Sequence, residues 1–336
     1  MAKTKIAING MGRIGRTLIR ELVDRQNPSI ELVAVNNPGN MATYLHLLKF
    51  DSVHGKAAFE IEAAGNGFKI NGHFVKFHTI ADPSEIPWGD DGASIVIDCT
   101  GRFKDKTSLS KHMRGTVKKV IMCAPGKDLD GTFVMGINSN EYDNSKHHVI
   151  SNASCTTNCL APVAKVLHEK FGIVNGFMTT VHAYTADQLL MDGSHSDLRR
   201  ARAAGVSMIP TTTGAAKAVG LVIPSLKGKL DGFSIRVPTA NVSYVDLNVR
   251  LNTKTTKEEI NKALIEASNG DLKGILKTES LELVSQDYLG MKESSCVDLP
   301  TTNVIEDMVK VTAWYDNEVG FSNRVLDLAA LVGSKL

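Results

Sequence analysis

Over the first half of the chain, apolar side chains fall in short unbroken runs separated by glycine turns and helical repeats. Lys5 to Asn9 is such a run and ends at Gly10; Arg13 to Arg25 then repeats apolar residues at Ile14, Leu18, Ile19, Leu22 and Val23, the spacing of one helix face. Ile30 to Asn36, rich in Val and Ile, reads as a buried parallel strand, so residues 5 to 36 predict one βαβ unit. Ser94 to Cys99, Lys119 to Cys123 and His148 to Ser151 predict further strands, and Lys106 to Met113 a helix. This alternation predicts an α/β domain built on a doubly wound parallel sheet. Within Ala57 to His78, the turns Gly65-Asn66-Gly67 and Asn71-Gly72 predict a small antiparallel insertion.

Beyond Cys159 the pattern changes. Gly172 to Ala183, Gly232 to Val237, Val242 to Leu251 and Met308 to Trp314 are long alternating runs, which predict an α+β domain with a mostly antiparallel sheet. Between two of them lies the polar stretch Asp187 to Ile209, with Arg199, Arg200 and Arg202, too long for a plain connector. Thr256 to Ser268 and Gly320 to Leu331 have helical periodicity.

Composition narrows the class. At 336 residues the chain suggests two domains, and 43% hydrophobic with 22% charged residues is ordinary for a globular protein. A net charge of +2 shows no sign of nucleic-acid binding, which needs a clustered basic face. The five cysteines are odd in number and lack the paired spacing of zinc sites, so no metal is expected and a reducing compartment is. Met1 to Lys5 runs straight into the first strand and no apolar run approaches the length of a membrane span, so neither secretion nor a membrane is expected and the cytoplasm is the default.

Two stretches carry chemistry. Gly10-Met11-Gly12-Arg13-Ile14-Gly15 is a GxGxxG between a strand and a helix: Gly10 makes the turn, Gly12 admits a pyrophosphate, and Gly15 lets helix and strand pack closely. This predicts a Rossmann-type dinucleotide-binding domain. The acidic residue expected at the end of the second strand is replaced by Asn37, which can bond a ribose hydroxyl but carries no charge to repel a 2′-phosphate; NAD, NADP and dual use all stay open. The second stretch is Ser151 to Cys159, where Cys155 falls at a helix start. Unpaired N–H groups and the helix dipole there favour an anion, and such a position lowers a thiol from its usual pKa of about 8.5. A small buried cysteine closing a turn would look the same. A nucleophile needs a base, and His182 in Thr179 to Thr185 is the candidate, although a lone strand histidine is commonly a core residue.

These motifs occur in order with Leu198 to Ala203, Pro210 to Lys217, Arg236-Val237-Pro238-Thr239 and Trp314-Tyr315-Asp316-Asn317-Glu318. Together they closely resemble the phosphorylating glyceraldehyde-3-phosphate dehydrogenase family over essentially the whole chain, and the Ser-Cys-Thr-Thr-Asn motif is highly specific. The resemblance implies an enzyme of glycolysis and gluconeogenesis that oxidises glyceraldehyde 3-phosphate to 1,3-bisphosphoglycerate with inorganic phosphate and NAD or NADP. Cys155 as thiolate would form a hemithioacetal and then a thioester, with His182 as base. It implies that Thr185 and Arg236 hold the substrate phosphate, and that Ser154, Thr156, Thr213, Gly214 and Arg200 hold the attacking phosphate. For the cofactor it implies Gly10, Gly12, Arg13, Ile14, Gly15, Asn37, Thr100, Gly101, Cys123, Ser194 and Asn317. It further implies a dinucleotide-binding domain over 1–154, a catalytic domain over 155–316, a helix over 317–336 returning to the first domain, and a homotetramer in which the long polar loop lines a neighbour's cofactor site. Several positions depart from the family pattern: Met11 for Phe, Asn37 for Asp, Ala81 for Arg, Cys123 for Ser or Thr, Phe321 for Tyr, and Gly193-Ser194 where NAD-using relatives tend to carry Leu-Pro. NADP-using photosynthetic relatives carry a small residue and Ser there. An erythrose 4-phosphate dehydrogenase and a dinucleotide sensor with a dead site are the rival readings; the intact phosphate positions oppose the first, and Cys155 with His182 the second. Cys159, one helical turn on from Cys155, is expected to be a buried helix residue rather than a partner in a regulatory disulfide.

Overall fold

A computed structural model describes residues 3 to 336; Met1 and Ala2, which open the run read as lacking a secretory segment, lie outside the described residues. The chain divides into two compact units, the first running to Phe133 and adding Ser139–Ala153 and Ser322–Leu336, the second comprising Val134–Asn138 and Ser154–Phe321.

In the first unit the chain forms β1 (Thr4–Asn9), α1 (Arg13–Arg25), β2 (Ile30–Asn36), α2 (Met41–Lys49), the short pair β3 (Phe50–Asp51) and β4 (Gly55–Lys56), β5 (Ile61–Ala64), β6 (Gly67–Ile70), β7 (His73–His78), β8 (Ile95–Asp98), α3 (Lys106–Leu109), β9 (Lys119–Met122), β10 (Gly131–Thr132) and β11 (Val149–Ser151). One nine-stranded sheet has the order β10-β11-β9-β8-β1-β2-β7-β6-β5. All its pairings are parallel from β10 to β7, because helical or long connections return each strand in the same direction. The predicted insertion is antiparallel within itself, but it is no separate hairpin. Its last strand pairs in parallel with β2, and the buried Val75 and Phe77 tie it to the main sheet. Ala7, Ala34 and Val96 from three adjacent strands pack with Ile86, Trp88 and Val117. The chain's last segment joins this unit through Arg25, which donates to the Asn323 carbonyl at 3.1 Å and pairs with Asp327, while Asn323 donates to Glu21 at 2.9 Å.

The second unit forms α4 (Cys155–Phe171), β12 (Ile173–Ala183), β13 (Ile209–Thr212), α5 (Ala215–Val222), β14 (Leu230–Val237), β15 (Ser243–Leu251), α6 (Lys257–Asn269), β16 (Leu276–Glu279), β17 (Ser295–Asp298), β18 (Asn303–Ile305), β19 (Met308–Tyr315) and the start of α7 (Val319–Gly333). The sheet order is β13-β14-β12-β15-β19-β17-β16, with β18 on β19. It is mostly antiparallel, the exceptions being β12 with β14 and β16 with β17. The first exception follows from two reversals between those strands, one into β13, which runs antiparallel to β14, and one through α5. It matters for the site because it sets His182 and Arg236 side by side in register. Among the described residues no helix is long and apolar enough to cross a membrane.

Candidate active site

In the first unit, the chain leaves β1 for β2 on one side and continues from β8 to β9 on the other, so the sheet has its switch point between β1 and β8. Ligands bind open α/β sheets at the carboxyl ends beside such a point. A cleft of about 240 Å³ lies there, lined by Gly10, Gly12, Asn37, Tyr44, Cys99 and Thr100 among others. Its floor is a buried polar network. Asn9 donates to Asp98 at 2.8 Å, Asn36 donates to Asn9 at 2.8 Å, and the Thr100 N–H and hydroxyl both donate to Asp98. The Trp88 indole N–H donates to His112 Nδ1, which turns Nε2–H toward Asp98.

The glycine turn fits a dinucleotide on physical grounds. A Cβ at Gly15 would lie 1.9 Å from the Gly10 carbonyl oxygen, and Gly10 itself has φ +99°. At Gly12 nothing lies within 4 Å of an added Cβ, and no side chain caps α1 there, so the helix end faces open space. Asn37 accepts from the Met11 N–H at 2.9 Å and donates to the Pro38 carbonyl. Arg13 is turned onto Asp51 at 2.5 Å, so its guanidinium is already paired; Asp51, with burial pushing it up, is held down at about 2 by the His54 and Val53 N–H groups and Arg13. Ile14 lies in the first turn of α1, Gly101 is exposed at φ +65°, and the Cys123 sulfur lies 3.4 Å from that of Cys99.

In the second unit, Ser154 caps α4, its hydroxyl accepting the Thr157 N–H at 3.0 Å, and this sets Cys155 in the first helical position. The Cys155 sulfur lies 3.5 Å from His182 Nε2. His182 Nδ1 lies 2.6 Å from the Ala183 carbonyl oxygen, which can only accept, so Nδ1 carries the hydrogen and the neutral ring presents a bare Nε2 to the thiol. Burial pushes the thiol up, against Arg236 and Thr156, which pull it down. Burial likewise lowers His182, to about 3, with Arg236 adding to the effect. Both shifts favour the neutral pair, opposite to what the helix end alone predicts, because desolvation outweighs a half-charge at the helix terminus.

The two arginines belong to one chain of polar contacts. Arg236 donates to the Thr185 hydroxyl at 2.6 Å, Thr185 donates to Asp187, and Asp187 pairs with Arg200 at 2.6 Å. Arg236 Nε is buried without a hydrogen-bond partner. Arg200 also donates to the Thr211 hydroxyl and the Thr212 carbonyl, just before Thr213 and the exposed Gly214 that opens α5. Thr156, expected on the attacking phosphate, has its hydroxyl buried and bonded to Tyr315 at 2.8 Å, while its backbone N–H serves the Cys155 sulfur. Asn317 Oδ1 accepts from Ser243, whose oxygen accepts the Ala183 N–H, so the amide NH₂ is the end left for a ligand. Ser194 is exposed on the long loop, with no side-chain bond to another expected site residue among those described.

Tyr315, Asp187 and Ser243 escaped the sequence reading. Tyr315 bridges Thr156 and Thr180 and meets the His182 ring nearly perpendicular, with ring centres 5.9 Å apart, a role visible only once β12 and β19 are in one sheet. Cys159 is buried with its thiol toward Ser295.

A switch-point cleft with a glycine turn in one unit, and a thiol–imidazole pair flanked by cations in the other, define the class of dinucleotide-dependent enzymes that work through a cysteine nucleophile. Residues 4–106 match the family model described as glyceraldehyde 3-phosphate dehydrogenase, NAD binding domain, and residues 154–317 match the C-terminal domain of the same family. The chain is 55% identical over 332 residues to the glyceraldehyde-3-phosphate dehydrogenase of Geobacillus stearothermophilus, covering 98% of each chain. It is 54% identical over 333 residues to glyceraldehyde-3-phosphate dehydrogenase 2 of Trichormus variabilis, covering 98% of this chain and 99% of that one. The chain belongs to the glyceraldehyde-3-phosphate dehydrogenase family.

Proposed function

We propose that this enzyme oxidises glyceraldehyde 3-phosphate to 1,3-bisphosphoglycerate with inorganic phosphate as cosubstrate. The observation that carries the reading is the 3.5 Å approach of Cys155 Sγ to an Nε2 kept bare by the Nδ1 bond to Ala183. A nicotinamide dinucleotide, held by the glycine turn, Asn37 and Thr100, supplies a hydride acceptor. Family membership supports NAD; the uncharged Asn37 supports NADP as a second acceptor.

The substrate phosphate takes Arg236 and Thr185, meeting the unpartnered Nε. That anion offsets the Arg236 charge, which otherwise depresses His182, and so makes Nε2 a stronger base as substrate arrives. The Cys155 S–H proton passes to Nε2 while sulfur bonds to the aldehyde carbon; the carbonyl electron pair moves to oxygen, which takes that proton, giving the hemithioacetal. Nε2 then accepts the hydroxyl proton as the carbonyl reforms and the C–H bond breaks, its hydrogen leaving with both electrons for the hydride acceptor, so that a thioester remains on Cys155. The Cys155 backbone N–H and His182 hold the developing oxyanion. Inorganic phosphate, bound through Arg200, Thr213, Gly214 and Ser154, attacks the thioester carbon; the C–S bond breaks and sulfur regains its proton from His182.

We place the reaction in the cytoplasm, where a nucleophilic thiol stays reduced. We also propose a homotetramer: Leu190, Met191, Leu198, Val206 and Met208 on the polar loop are 74% to 83% exposed, more apolar surface than a loop leaves to water without a partner. Aldehyde-dependent cofactor reduction, run with and without phosphate and with NAD and NADP in parallel, tests the activity. Cys155→Ser should abolish turnover and leave dinucleotide binding intact. Turnover that survives the substitution, or that ignores phosphate, would refute the mechanism.

A further inference from the structure

Cys99 and Cys123 stand at the carboxyl ends of β8 and β9 and take no part in the chemistry above. The strands are parallel neighbours with Asp98 opposite Met122, and the Cys123 N–H continues the ladder to the Asp98 carbonyl at 3.0 Å, so the two cysteines form the next register pair. Adjacent strands lie roughly 4.8 Å apart, inside the Cα separation of about 4.4 to 6.8 Å that a disulfide spans. The sulfurs are 3.4 Å apart, both residues are half-buried, and Cys99 lines the cofactor cleft. The glycine turn rests directly on this strand end: a Cβ on Gly10 would meet the Thr100 nitrogen at 2.9 Å and the Cys99 carbonyl carbon at 3.0 Å.

We propose that Cys99 and Cys123 form a reversible disulfide, made by exchange with a low-molecular-weight disulfide, that weakens dinucleotide binding in the first unit. One cysteine, as thiolate, attacks a sulfur of the small disulfide; that S–S bond breaks and the first small thiol leaves with the electron pair and takes a proton. The other cysteine, also as thiolate, attacks the protein-bound sulfur of the mixed disulfide, and the second small thiol leaves in the same way. The pair gives up two electrons and two protons, and the small disulfide takes both. Bonding draws the sulfurs from 3.4 Å to about 2.05 Å and pulls on the backbone that supports Gly10. Burial, with Cys123 and Asp98 adding to it, pushes the Cys99 thiol up, so Cys99 is slow to attack as thiolate.

The effect on affinity rests on the dinucleotide reading; the bond itself does not. The full chain carrying Cys155→Ser, which removes the competing nucleophile, is equilibrated at graded ratios of reduced to oxidised glutathione. Unreduced tryptic peptides are mapped and NAD binding is titrated by calorimetry. The expected result is a peptide holding Cys99 linked to one holding Cys123, a rise of about tenfold or more in the NAD dissociation constant, and reversal by dithiothreitol. Cys123→Ala in the same background should keep one dissociation constant across all ratios. Absence of the linked peptide at every ratio overturns the proposal, and so does a linked chain that binds NAD as tightly as the reduced one. A reduced chain that fails to bind NAD overturns the cofactor reading and the affinity effect with it.

Discussion

Acid should unfold this protein partly through His182. Its native pKa is depressed from 6.5 to about 3 by burial and Arg236. The unfolded imidazole therefore binds a proton more readily than the native one between these values, and the stability His182 contributes is present above about pH 6.5 and lost as pH falls toward 3. At pH 4.5 the unfolded ring is protonated about a hundred to one while the native ring stays neutral, which costs roughly 3 kcal/mol relative to neutral pH. Urea denaturation of the native sequence and of His182→Gln, at pH 7.5 and 4.5 and one protein concentration, isolates this term, because acid effects at other groups cancel in the difference of differences. His182→Gln should lose about 2 to 3 kcal/mol less than the native sequence on acidification. Parallel losses, equal within about 0.5 kcal/mol, would refute a buried neutral imidazole and with it the tautomer on which the base role depends.

The glycine turn makes a paired prediction. Gly15→Ala drives a Cβ against the Gly10 carbonyl and should destabilise the first unit by about 1 to 3 kcal/mol or more, whereas Gly12→Ala meets nothing and should keep its melting temperature while losing NAD affinity. Equal melting temperatures for the two variants would contradict this. Arg236→Gln removes a cation that pulls the Cys155 thiol down, so the midpoint of the pH profile for Cys155 alkylation should move up; an unchanged or lower midpoint tells against the electrostatics described. Asn37→Asp places a carboxylate at the adenosine end, and kcat/KM for NADP should fall by about a hundredfold or more while that for NAD changes little. A similar fall with both cofactors would point to lost support for the Met11 N–H instead.

Periodicity located α1 and β2 to the residue, because an amphipathic helix between a glycine turn and a buried strand is written in local spacing. The same logic found the antiparallel strands within Ala57 to His78 but not their place in the main sheet, since the turns specify hairpins and say nothing of which outer strand β7 will join. At the catalytic centre, residue types and order were legible: Cys155 at a helix start, His182 at a strand end, and arginines and threonines in motifs. Their protonation was not. The helix end argues for a lowered thiol, and only the packing around the partly buried Cys155 and the buried His182 shows that desolvation wins.

The sequence by itself thus determined the alternating strands and helices of the first unit, the glycine turn and the candidate nucleophile, all of which depend on neighbours within a few residues. The tertiary structure alone decided which distant residues meet. Parallel pairing of β12 with β14 brings Arg236 to His182, Tyr315 arrives from β19 to hold Thr156 and Thr180, and the β8–β9 register sets two half-buried thiols within 3.4 Å. Those contacts join strands far apart along the chain, and the packing that selects a register is a property of the whole sheet rather than of either strand.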